Sequence, residues 1–162
     1  MSRIYVASSW RNAFQQDVVA NLRDCGHTVY NFREDGDGWG NSAQSYSGFG
    51  GFHWSKVDPN WQKWSEDIEK YITGLDDWRA VQGFHRDMDA LKKSEVCVMV
   101  MPCGPSASME MGWACGSGRF VVVYVPAIKE PDLMVKMANV VTNDWGTVCQ
   151  SIRDWEQRDR SL

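Results

Sequence analysis

The run Val96 to Met101, VCVMVM, is the stretch that most limits what this chain can fold into. Lys92, Lys93 and Glu95 bound it on one side, and Pro102, Gly104 and Pro105 on the other. A continuous apolar run of this length, with valine at 96, 98 and 100, is too short for an ordinary helix. It suits a strand buried on both faces, as in a parallel sheet. A tight loop follows, with Ser106 and Ser108 as candidate N-caps of the next helix. In that helix Ala107, Met111, Ala114 and Cys115 recur at three- and four-residue spacing, and Gly116 and Gly118 end it. Glu110 falls in the first turn, just beyond the carboxyl end of a central strand, where open α/β sheets hold their ligands. A helix dipole alone favours a carboxylate there by about 0.3 to 1 kcal/mol. The position therefore has a structural reading beside the functional one.

Strand and helix patterns alternate along the rest of the chain. Arg3 to Ala7 reads as the first strand, Ser8 and Ser9 as capping residues, and Trp10 to Cys25 as a helix. Its apolar positions are Phe14, Val18, Val19 and Leu22, and Cys25-Gly26 supplies the stop. His27 to Phe32 is the second strand. Asn60 to Tyr71 places Trp61, Trp64, Ile68 and Tyr71 at helical steps, and Asp76 to Lys93 puts Val81, Phe84, Met88 and Leu91 on one side. Phe120 to Val125 is a further strand, Pro131 to Ala138 a short helix, Asn139 to Thr142 the last strand, and Trp145 to about Arg158 the closing helix. The order predicts an α/β fold: a flavodoxin-like, doubly wound, five-stranded parallel sheet of order 2-1-3-4-5. At 162 residues it fits one domain over positions 1–162, with an insertion at about 33–75.

Between Arg33 and about Pro59 the periodicity gives way to Gly, Ser and Asp interleaved with Trp39, Tyr46, Phe49, Phe52 and Trp54. Long connections of this kind are usually lids or binding loops, and their aromatics argue against plain disorder. The segment reads as a lid bordering the pocket, with Trp54 a candidate substrate contact, or as an aromatic flap over a sheet edge or subunit interface. Net charge is −4 and the basic residues are scattered, so no stripe exists to neutralise the phosphates of a polymer. A single 5′-phosphate needs only one or two donors. Five cysteines without a CxxC pair predict reduced thiols, with no disulfide and no bound metal. No signal peptide is visible and no apolar run approaches the length of a membrane span, so a cytoplasmic protein is expected.

Strand, Gly/Ser loop, Met-Glu-Met-Gly-Trp-Ala and a Gly-Ser-Gly-Arg turn into another strand together resemble the nucleoside 2-deoxyribosyltransferase family and its hydrolytic relatives, the deoxynucleoside monophosphate N-glycosidases. The resemblance implies that Glu110 is the nucleophile. Within FHRDMDALKKS it implies that Asp87 binds and polarises the base; Asp89 points about 200° away around the helix. Ser8-Ser9-Trp10-Arg11 resembles the Gly-Ser-x-Arg segment with which the monophosphate N-glycosidases hold a 5′-phosphate. Backbone N–H groups at a helix start, hydroxyls and a guanidinium also make an anion site on physical grounds. Tyr5 matches a family tyrosine near the sugar, and as a strand residue it could equally pack beneath the lid. The transferases carry an aspartate six residues before the nucleophile and the monophosphate hydrolases a serine, whereas this chain has Gly104. Ser106 or Ser108 would then serve the sugar, or the substrate differs at that end.

The resemblance further implies no cofactor, a small nucleoside or nucleotide substrate, and assembly as a homo-oligomer. The expected reaction is cleavage or transfer of the N-glycosidic bond of a 2′-deoxynucleoside or its 5′-monophosphate. Two other readings stand beside it: glycohydrolysis of NAD or another ribosyl nucleotide, as in TIR-like domains with their own catalytic glutamate, and a silent nucleotide-binding or sensor module. Gly104 is the residue that favours the last.

Overall fold

The computed structural model describes residues 1–40, 51–159 and 161. Tyr46 and Phe49 of the aromatic segment lie outside the described residues, as do Arg160 and Leu162. Five strands, β1 (Arg3–Ala7), β2 (Thr28–Tyr30), β3 (Val96–Val100), β4 (Phe120–Tyr124) and β5 (Val140–Thr142), form one sheet in the order β2-β1-β3-β4-β5. Every pairing is parallel. The α-helices are α1 (Gln15–Asp24), α2 (Ile68–Gly74), α3 (Trp78–Lys93), α4 (Pro105–Gly116) and α5 (Trp145–Asp159). Fold class and strand order are those expected from the sequence.

The chain divides into two compact units, one of Met1–Asn31 with Lys93–Leu162 and one of Phe32–Lys92. In the first unit β3 is central and every one of its residues is fully buried. Its register pairs Ile4 with Val96 on one side and Val98 with Val122 on the other. One face of the sheet presents Ile4, Val6, Val96, Val98 and Val122 to Val18, Val19 and Leu22 of α1 and to Val148 and Ile152 of α5. Alternation of side chains along each strand turns Tyr5, Cys97 and Met99 to the opposite face. There α4 packs on β1, β3 and β4 through Ala107, Met111 and Ala114. Burying a valine or methionine side chain in this way contributes about 1.5 to 3 kcal/mol, so the run that fixes the fold also supplies much of its core.

Local starts and stops differ from the periodicity in several places. α1 begins at Gln15, because Asn12 Oδ1 accepts from the Phe14 backbone N–H at 2.7 Å and holds the preceding residues in turns. It ends where Gly26 takes φ of 88°, a conformation that favours glycine. The expected helix over 60–71 is a 3-10 segment, Trp61–Glu66, followed by α2. Asp67 breaks it with non-helical backbone and caps α2, its carboxylate accepting from the Lys70 N–H at 3.4 Å. Leu133–Met137 is likewise 3-10.

The second unit is organised by aromatic rings. Trp54 meets Phe52, Trp64 and Tyr71 edge-on, with ring centroids 4.9, 5.3 and 5.9 Å away. Trp64 Nε1 donates to Asp58 Oδ2 at 2.9 Å. The Arg79 guanidinium grips the Asp77 carboxylate at 2.8 Å, which holds that carboxyl down to about 2. Arg79 also donates to the Lys56 carbonyl, and Arg86 to the Glu34 carbonyl at 2.6 Å. α3 corrects part of the face expected for it: Leu91 is buried as expected, but Val81 and Phe84 are exposed and Ala80, Gly83 and Ala90 are buried in their place. The reason is close approach, since a Cβ built on Gly83 would lie 2.4 Å from Phe52 Cβ. Gly83→Ala is accordingly expected to lower unfolding stability by about 1 to 3 kcal/mol through overpacking, read from chemical denaturation; an unchanged midpoint would show that Phe52 yields freely.

Candidate active site

The carboxyl edge of β1 and β3 carries two loops, residues 8–14 and 101–104, and buried hydrogen bonds fasten one to the other. Ser8 Oγ donates to the Val100 carbonyl at 2.9 Å. Asn12 Nδ2 donates to the same carbonyl at 3.1 Å and to the Pro102 carbonyl at 2.9 Å. Asn12 is only 4 % exposed, so these bonds form out of water, where leaving a carbonyl unpaired is costly. The first loop presents half-buried Ser9 and exposed Trp10 and Arg11. Ser8 and Ser9 do not cap α1, whose N-cap is Phe14. With its proton on Val100, Ser8 acts as a tie between loops.

The second loop delivers α4. Its N-cap is Gly104, in extended backbone and with no capping side chain, and Pro105 occupies the first turn. Ser106 and Ser108 therefore sit inside the helix and do not cap it. Glu110 consequently lies in the second turn, one turn further from the dipole's positive end than its sequence context suggests. The glutamate is half-buried. Its charge reaches two thiols: burial pushes the Cys97 thiol well up, with Glu110 and then Cys115 adding to the shift. Cys103 is also raised, first by burial, and Asp132 and Glu110 add to it while a hydrogen bond with Ser108 opposes it.

Tyr5 belongs to the same neighbourhood. It pairs in register with Cys97, is fully buried, and stacks on Tyr30 with centroids 5.2 Å apart and planes 18° apart. Tyr5 thus lies beside Cys97 on the α4 face of the sheet, α4 carries Glu110, and Ser8, Ser9, Arg11, Gly104, Ser106 and Ser108 lie on the two tied loops and the first turn of α4. Asp87 and Trp54 belong to the second unit. Asp87 is half-buried on α3 whereas Asp89 is exposed, and the Trp54 ring is already engaged in its aromatic cluster. Among the described residues no group of three or more His, Cys, Asp or Glu gathers as a metal site, and no helix is long and apolar enough to cross a membrane. All five cysteines are free thiols.

Periodicity did not single out the buried polar residues that support this edge. Besides Asn12, Gln15 and Asn31 are fully buried. Gln15 Nε2 donates to Asn31 Oδ1 at 2.9 Å, and Asn31 Nδ2 to Gln16 Oε1 at 3.2 Å, which joins α1 to the end of β2. A signal was present, since Gln15 continues the inward stripe of Val18, Val19 and Leu22. A polar residue in such a stripe marks a buried network.

No family model and no curated protein matches the chain. Among solved structures, a 2-deoxyribosyltransferase from the psychrotolerant bacterium Bacillus psychrosaccharolyticus is similar, with a TM-score of 0.57 and 19% identity over 90% of this chain and 89% of the other. The Clostridium botulinum CMP N-glycosidase BcmB has a TM-score of 0.48 and 15% identity over 93% of this chain and 98% of its own. At such identity the first likeness is one of fold: a parallel sheet in the order 2-1-3-4-5 with flanking helices.

Two substitutions test the loop geometry without reference to turnover. Asn12→Ala removes the donor from both Val100 and Pro102 and should cost about 1 to 3 kcal/mol of stability, with faster amide exchange across 101–104. Gly104→Asp should leave the fold intact or raise its stability by a few tenths of a kcal/mol, because a Cβ there meets nothing within 4 Å and aspartate is a good N-cap. A melting temperature several degrees lower in Gly104→Asp would mean that glycine is required at the position.

Proposed function

We propose that this protein cleaves or transfers the N-glycosidic bond of a 2′-deoxynucleoside or its 5′-monophosphate, with Glu110 as the nucleophile. The observation that carries the reading is that buried hydrogen bonds tie the loop after β1 to the loop that leads into α4, the helix of Glu110, at the carboxyl edge of the sheet to which Tyr5 belongs. The Met-Glu-Met-Gly-Trp-Ala segment and a sheet like that of a solved 2-deoxyribosyltransferase support it.

Breaking the bond builds positive, oxocarbenium-like charge at C1′. A carboxylate below the sugar stabilises that charge electrostatically or captures it as a glycosyl ester, which water or a second base then opens. Glu110 takes this role, and Tyr5 restrains the carboxylate by donating a hydrogen bond. Asp87 is the base-side group, polarising the departing base. Ser9 and Arg11 form the anion site for a 5′-phosphate, Ser8 being committed to Val100. Ser106 and Ser108 serve the sugar hydroxyls, because Gly104 offers no side chain. Trp54 contributes an aromatic face for the base.

Incubation with a panel of deoxynucleosides, deoxynucleoside monophosphates and NAD, followed by measurement of released base, tests the proposal. Glu110→Gln should reduce release by about a thousandfold or more while the melting temperature changes by only a few degrees; near-normal turnover removes the nucleophile assignment. Release from NAD alone would favour the glycohydrolase reading, and tight nucleotide binding without release the sensor reading that Gly104 encourages. In Arg11→Ala the preference for a monophosphate over its nucleoside should fall by about 1.5 to 3 kcal/mol. A wild type that prefers the unphosphorylated nucleoside overturns the phosphate assignment.

A further inference from the structure

The corner between α1 and β2 rests on α5, and a thiol stands on each side of the contact. Both helices cover the same face of the sheet, α1 through Val18, Val19 and Leu22 and α5 through Val148 and Ile152. The corner consists of Cys25, which is the C-cap of α1, Gly26 with its φ of 88°, and His27. His27 Nδ1 lies 3.5 Å from Glu156 Oε1 and accepts from the Ser2 N–H at 3.3 Å. On α5, Cys149 stands about two turns before Glu156, so the two side chains share the side of that helix that meets the corner. A hydrogen bond joins the thiols of Cys149 and Cys25. The remaining thiols are placed otherwise. Cys97 is shut inside the sheet, Cys115 Sγ donates to Met111 Sδ at 3.6 Å, and Cys103 shares a hydrogen bond with Ser108.

We propose that Cys25 and Cys149 are a modification site, which a low-molecular-weight disulfide converts reversibly into an intramolecular disulfide between the end of α1 and α5. Access assigns the order of events, because Cys25 is exposed and Cys149 half-buried. The Cys25 thiolate attacks one sulfur of the small disulfide, whose S–S bond breaks and releases one small thiolate. Cys149 then loses its proton and attacks the Cys25 sulfur, which releases the second small thiolate. Two protein thiols are oxidised and one small disulfide is reduced to two thiols, the departing thiolates taking up the two protons that the protein loses. Burial raises the Cys149 thiol, and the neighbouring Cys25 adds to the rise, so Cys149 is a poor first nucleophile. Arg153, one turn further along α5, opposes that rise and favours the Cys149 thiolate when it attacks. Cys25 sits at a helix end, where the backbone yields more readily than in mid-helix, so bond formation asks little of the core. The proposal uses no residue assigned to the reaction and stands or falls independently of it.

Incubating the full chain with oxidised glutathione under native conditions, alkylating the thiols that remain and mapping the peptides by mass spectrometry tests it. The wild type should lose two hydrogens, yield one cross-linked peptide pair joining Cys25 to Cys149, retain no glutathione, and return to the thiol form with dithiothreitol. Cys149→Ser should instead hold one glutathione on Cys25, because the attacking group of the second step is gone. Cys25→Ser should react at Cys149 about tenfold or more slowly than the wild type reacts at Cys25. Circular dichroism checks that both variants are folded, and the wild-type map needs no variant. A wild type that keeps glutathione on Cys25 overturns the proposal, as does a cross-link from Cys25 to any other cysteine. So does a Cys25 that an alkylating agent reaches while oxidised glutathione leaves both thiols unchanged.

Discussion

One carbonyl, that of Val100 at the end of the central strand, holds the candidate site together. It accepts from both Ser8 and Asn12, which come from the loop of the neighbouring strand. A strand end normally releases its backbone groups to solvent or to the following loop. Here the group is buried, where an electrostatic bond is stronger than in water and its absence dearer. The bond from Asn12 to Pro102 extends the tie one step into the loop that leads to α4. Pro105 then fixes backbone geometry at the start of that helix. The strand end, the loop and the start of the helix that carries Glu110 are thereby joined in one short run. Groups set on rigid elements and braced by buried hydrogen bonds are what a site needs when small displacements are costly.

The sheet was legible because its signal was redundant. VCVMVM and FVVVY each say buried strand without help from neighbours, and right-handed connections leave few orders for five such strands. Helix starts were harder to read. Ser8, Ser9, Ser106 and Ser108 are all good caps by residue type, yet none caps, because the structure gave the work to an Asn12 turn and to Gly104 before Pro105. Several residues of similar local propensity competed, and tertiary hydrogen bonds chose between them. The orientation of α3 was beyond periodicity altogether. Its residues 80, 83 and 90 share a side as clearly as 78, 81 and 84 do, and only the approach of Phe52 to Gly83 decides which side is buried.

The candidate site was legible in part for a different reason. Glu110 and Asp87 stand in recognisable short segments, and Tyr5, Ser9 and Arg11 follow from the place of the first loop in the topology. Asn12, Gln15 and Asn31 stand in no motif. Their role is to satisfy buried backbone and one another, and polar residues with that duty look like surface residues until their burial is known. Reading Gln15 as part of the inward stripe of α1 would have exposed the network, because a glutamine among Val18, Val19 and Leu22 needs a partner.

The neighbours of Glu110 also bear on its chemistry. Burial raises the thiols of Cys97 and Cys103, and the glutamate's own charge raises them further. Thiols held protonated at neutral pH add no second negative charge beside the carboxylate. Two close anions would each make the other harder to keep, and one would take up a proton. In the proposed reaction a carboxylate meeting developing positive charge at C1′ must be ionised when the bond begins to break. Sulfhydryl groups are polarisable and weakly polar, so protonated thiols in its surroundings do not compete with the glutamate's charge. A serine or aspartate in place of Cys97 would change that balance from inside the sheet, at a position that is fully buried.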